Sequence, residues 1–188
     1  MLHEFELGIW KALFIHLIRI LHAAMPHGEL VEELNNRWAC HWLWPSMVLW
    51  NWYPYLHHRF RWIPTFGSTG TIHQFATNAS EMKKLAGQDF EDLLQCAIPI
   101  FEWLLPELHN NHVMKLLFQT AEWHGLAKLQ MHTKATLAQL EQVTTYLGHL
   151  MRDFRDKTCA EFNTTELACE VEAQNHRNAQ KKGTKTPN

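Results

Sequence analysis

The stretch NASEMKKLAGQDFEDLLQCAIPIFEWLL, Asn78 to Leu105, decides how the chain is read. Its apolar residues Met82, Ala86, Phe90, Leu93, Leu94, Ala97, Phe101 and Leu104 recur at intervals of three and four. That interval gathers them on one side of an α-helix, with Lys83, Lys84, Gln88, Glu91 and Gln95 on the other. Asn78 and Glu81, three residues apart, have the chemistry of a capping box, which places the helix start at Asn78. Pro99 lacks an amide hydrogen and crowds the preceding turn, so a kink or break is expected near Cys96 to Ile98.

The same period continues on both sides. From Leu2 to His22 one face carries Leu2, Phe5, Ile9, Leu13, His16 or Leu17, and Ile20; Trp10, Phe14, Ile18 and Leu21 widen it almost all round. Such a helix is expected to be buried on most sides. Lys11, His16 and Arg19 argue against a membrane span, and Glu4 and Glu6 at the front argue against an export signal. Glu29 to Arg37 reads as a polar helix. Downstream, Asn110 or Asn111 is placed to cap a helix bearing Val113, Leu116, Leu117, Thr120 or Ala121, and His124, bent at Gly125. Thr133 opens a last strong helix with Leu137, Leu140, Thr144, Leu147, Met151 and Phe154 as its packing face. From His176 the chain is basic and contains Gly and Pro, which predicts a disordered tail.

One segment obeys neither period. Trp38 to Arg59 holds five of the nine tryptophans and two of the three tyrosines, lacks Asp, Glu and Lys, and is interrupted by Pro45 and Pro54. If Arg37-Trp38 is encoded AGG-TGG and His58-Arg59 CAC-AGA, splice signals flank a length of 22 codons whose removal keeps the frame. The segment is then read as an irregular insert, a translated intron, whose composition never answered to folding. Ile63 to Thr77, with Pro64, Gly67, Ser68 and Gly70, is a turn-rich connection. The expected organisation is N-terminal helices over 1–37, the Trp-rich insert over 38–59, a helical domain over 60–172 and a disordered tail over 173–188.

Composition excludes several classes of function. In 188 residues the net charge of −2 gives no general electrostatic patch for nucleic acid, and a 46% hydrophobic share is ample for a core. Four cysteines form no CxxC pair and are read as free thiols in a reducing compartment. His109 and His112, His57 and His58, and Cys40 and His41 offer nitrogen and sulfur donors, but no set of about four with zinc spacing converges in sequence. Cys159 and Cys169 have no histidine at a finger-like distance. No metal site is therefore assigned. No nucleotide-binding or hydrolase motif occurs. Glu81, Asp89, Glu91 and Asp92 form an acidic run, read as a solvated face suited to the helix dipole or, more pointedly, as a source of a Mg²⁺-holding carboxylate.

Four runs make that second reading pertinent: LHEFELGIWK at Leu2 to Lys11, ELNNR joined to FRWIPTFG at Phe60, NASEMKKLAGQDFEDLL at Asn78 to Leu94, and WHGLAKL at Trp123 to Leu129. In these runs the chain resembles the C-terminal portion of fungal Plavaka-type DDE transposases. The likeness covers most of Leu2 to about Glu172 and lapses across Trp38 to His58. Its motif positions are Leu2, His3, Leu7, Gly8, Lys11 and Gly87. The resemblance implies a mainly α, bundle-like fragment, the helical C-terminal or insertion part of an RNase H-like transposase. It implies for the intact family DNA as partner, nuclear location, and two Mg²⁺ about 4 Å apart held by three acids. Of those acids, Asp89 is the best match to the third, with Glu81 as the alternative. The other two would lie ahead of Leu2, so the expectation is a cofactor-free chain that is no longer an enzyme. The competing expectation is an intracellular helical module that binds a protein partner.

Overall fold

The computed structural model describes residues 2–25, 28–40, Ser80 and 85–183, and among them every regular element is a helix. The first helix, α1, runs over residues 2–24: α-helical Leu2–Glu4, a π-helical turn Phe5–Trp10, then α-helical Lys11–Ala24. A π turn holds about one extra residue. Phe5 and Trp10, five apart, are therefore both buried, whereas Ile9, expected on the packed face, is half exposed. Beyond it, Leu13, Phe14, Leu17, Ile18, Ile20 and Leu21 are buried, as an all-round apolar helix requires. Phe5–Ala24 is long and apolar enough to cross a membrane; here Phe5, Trp10, Leu13, Phe14, Leu17, Ile18, Ile20 and Leu21 enter the common core.

Helix α2 spans Glu29–Cys40. It continues three residues past Arg37, into the first residues of the Trp-rich insert. The rest of the Trp-rich insert, the connection 63–77, Asn78 and Glu81 lie outside the described residues.

Helix α3 spans Gly87–Phe101, later than the expected start. Leu85 and Ala86 are not helical, and Ala86 is extended (φ −94°, ψ 177°). Alanine offers no side-chain acceptor, and Asp89 supplies the return contact instead: its Oδ2 accepts from the Ala86 amide at 2.7 Å. No break falls at Cys96 to Ile98. Pro99 sits in the last turn, where the missing amide removes one bond and the helix ends two residues later. Phe90, Leu93, Leu94, Ala97, Ile100 and Phe101 are buried as the period demands. Glu91, placed on the solvent side by the same period, is buried too.

Helix α4 spans Glu107–Ala127 and starts at Pro106 rather than at an asparagine. Pro106 fixes the entry dihedral, while Asn110 lies inside the helix and accepts a 2.7 Å bond from the amide of Trp103. Trp103 itself has φ +60°, and this bond holds it in a left-handed conformation that L-residues disfavour. Gly125 leaves α4 uninterrupted. Helix α5 spans Lys134–Asp153, capped by Thr133 with Thr136, and continues into a π-helical stretch, Phe154–Cys159. Its packed line is Val143, Leu147 and Phe154; Leu137 is exposed. Helix α6, Ala168–Gly183, occupies most of the expected disordered tail. Helix formers such as Ala173, Gln174, Ala179 and Gln180 permit it. Glu170 secures its start, accepting from the Leu167 amide at 2.9 Å and from Arg19 of α1. Residues 171–180 are all exposed.

The layers follow from burial. Helix α3 lies against the π turn of α1, against α2 and against α4, and α4 packs along α5. One contiguous core joins Trp10, Phe14 and Ile18 of α1, Leu34 of α2, Leu93 and Phe101 of α3, and Leu116 and Leu117 of α4.

Candidate functional site

The π turn of α1, the first half of α3 and the end of α4 meet in a small polar knot inside this apolar frame. Glu6 comes from the first, Glu91 from the second, His124 and Lys128 from the third. The ligand atoms of Glu6, Glu91 and His124 all lie within 4.8 Å of one another. His124 Nε2 is 3.0 Å from Glu6 Oε1, with 118 residues of chain between them. Lys128 Nζ donates to Glu91 Oε1, and Gln95 Nε2 reaches the same oxygen at 3.3 Å. Glu6, Glu91 and His124 are buried; the Lys128 side chain is 45% exposed and closes the knot from the solvent side.

Aromatic groups brace this arrangement. The Phe5 ring stacks on Trp123 with centroids 4.4 Å apart and lies 6.0 Å from the His124 ring. Trp10 Nε1 donates to the Phe90 carbonyl at 2.7 Å, which locks α1 to α3 next to Glu91. Lys11 Nζ stands 5.5 Å over the Phe90 ring. Burial of two carboxylates is costly unless they are paired and hydrogen-bonded, and the imidazole and ammonium supply that pairing.

The residues singled out in the sequence have other placements. Asp89 is half-buried and engaged at the start of α3, not in the knot. Glu81 lies outside the described residues. Among the motif positions, His3 faces Gly87: a Cβ added to Gly87 would lie 2.9 Å from His3 Nδ1, so that glycine keeps room for the imidazole. Lys11 touches Phe90, Leu7 and Gly8 are exposed, and Leu2 belongs to the first turn of α1. Among the described residues, His109 and His112 gather no metal set. His109 Nε2 lies 2.9 Å from Glu161 Oε2, and His112 Nδ1 lies 3.3 Å from Thr158 Oγ1, tying α4 to the chain after α5. Cys96, Cys159 and Cys169 are free thiols. Burial, reinforced by Asp92, pushes the Cys96 thiol up to about 11, so it is a poor nucleophile at neutral pH.

Sequence reasoning missed Glu6, Glu91, His124 and Lys128 as a set. The available signals were Glu6, a carboxylate between Phe5 and Trp10, and His124, an imidazole on the apolar face of its helix. Two Mg²⁺ ions require mainly oxygen ligands in near-octahedral order. The knot offers an imidazole nitrogen and seats an ammonium on Glu91, so its residues do not fit that pair of ions.

No family model, no curated protein and no solved structure matches this chain.

Proposed function

We propose that the chain is a helical unit of Plavaka-type DDE transposase descent that performs no DNA cleavage or joining by itself. One observation carries the reading. Three of the four resembling runs, at residues 2–11, 78–94 and 123–129, each contribute a side chain to the polar knot. Strings so far apart in sequence have no local reason to meet, and their meeting supports reading them as parts of one folded unit. The way the carboxylates are used supports the absence of strand cleavage. Glu6 and Glu91 are engaged by His124 and Lys128, and Asp89 is engaged at a helix start.

Two measurements test this. Purified chain incubated with Mg²⁺ or Mn²⁺ and DNA carrying the ends of the parent element should neither nick nor join it, and Asp89→Asn should change nothing. Metal-dependent cleavage lost in Asp89→Asn overturns the reading. Descent is tested on genomic DNA: repeated copies encoding the same runs are expected, and an isolated single-copy locus refutes the transposon origin.

A second reading, a helical module that binds a protein partner, is favoured by Trp103, Leu108 and Phe118, each at least 60% exposed around α4. A regulated single-copy locus separates it from the first.

A further inference from the structure

We propose that Glu6, Glu91 and His124 form a binding site for one divalent transition-metal ion of the zinc type, and that the Lys128 ammonium is its built-in competitor. The proposal stands apart from the question of descent. Three observations converge on it. The donors are one imidazole nitrogen and two carboxylates, a three-ligand set of the kind that holds Zn²⁺ with one position left for water. Their ligand atoms already lie within 4.8 Å of one another, and the Glu6–His124 pair is at 3.0 Å. Zinc bonds of about 2.0–2.2 Å place ligand atoms roughly 3.3 Å apart, so only a small closure around the ion is needed.

The third observation is the surrounding shell. Gln95 orients the Glu91 carboxylate at 3.3 Å, and Phe5 packs beside His124, so two of the three ligands are held without the metal. Lys128 donates to Glu91 Oε1 from a half-exposed position. An ammonium and a dication cannot share that oxygen without strong repulsion. When an ion enters, Lys128 swings to solvent and the dication balances both carboxylates. The imidazole separates this site from an all-oxygen Mg²⁺ or Ca²⁺ site and favours the Zn²⁺–Co²⁺ class.

The test is calorimetric titration of the full chain with Zn²⁺, repeated with Co²⁺ and followed by visible absorption. The chain has fourteen histidines, so weak additional binding is expected and the tightest site is the one compared across variants. Lys128→Met should tighten that site about tenfold or more, because the competitor is gone. His124→Gln and Glu6→Gln should each weaken it about tenfold or more. Far-UV circular dichroism and melting of each variant verify folding. Lys128→Met alters a half-exposed side chain and decides the matter even if a buried variant fails to fold. Wild-type Zn²⁺ affinity in Lys128→Met overturns the proposal, as does wild-type affinity in folded His124→Gln.

Discussion

His16 and Cys159 meet across 143 residues of chain, with Nε2 3.1 Å from Sγ. Burial pushes the Cys159 thiol up to about 11, so at neutral pH it is protonated beside the imidazole. Burial first, and the Arg19 charge second, hold His16 below its ordinary 6.5. The unfolded chain then takes up a proton that the folded chain refuses. Stability is therefore complete above about 6.5 and declines as pH falls from there toward the folded value. His112, lowered by burial and then by Lys157, adds to the same window. Urea denaturation between pH 7.5 and pH 5 should show this decline, and His16→Gln should make it shallower. An unchanged slope would mean that His16 exchanges no proton on unfolding.

At the scale of elements, α3 is the member most completely enclosed, and its packed face can be tested by truncation. Leu93 is fully buried and Phe101 nearly so. Either one changed to Ala should cost about 2–5 kcal/mol, the lost transfer energy plus the cavity left behind. Gln142→Ala on the exposed side of α5 should stay within about 0.5 kcal/mol. Chemical denaturation of the three variants gives the comparison, and similar losses at all three would refute the assigned face. The coupling of α3 to α1 rests further on the indole of Trp10, which is fully buried and bonded to the Phe90 carbonyl. The π turn sets that indole in place; a regular turn there would carry Trp10 away from Phe5.

Across the whole molecule, attachment is uneven. Helices α1 to α4 share the core, whereas α6 is tied down chiefly near its start, where Arg19 Nε donates to Glu170 Oε2 at 2.9 Å. The Arg19 bond, opposed by burial, holds the Glu170 carboxyl below its ordinary 4.5. Its contribution is thus present above that value and lost as pH falls through the folded one. Arg19→Ala should cost about 1 kcal/mol or less, because both side chains are about a quarter exposed. Its larger effect should be local: amide exchange over 168–183 should accelerate while the α1, α3 and α4 amides keep their protection. Uniform acceleration across the chain would mean that α6 unfolds only with the core.

The helical class, the apolar faces of α1, α3 and α4, and the start of α5 at Thr133 were legible in the sequence. They depend on a period of three and four residues and on local capping, which neighbours along the chain determine. Helix starts at Gly87 and Pro106 were not legible, because several polar residues nearby could cap and only packing selects among them. The helix over 168–183 was not legible for a related reason: its composition is that of a solvated coil, and the anchor at its start, Arg19, lies 151 residues from Glu170. Glu91 shows the limit most clearly. Its position on the α3 wheel says solvent, while Lys128, 37 residues on, pairs with it inside. Periodicity reports what one helix presents; which helix arrives to meet it is decided by tertiary packing, since the partners of a buried charge are chosen in space.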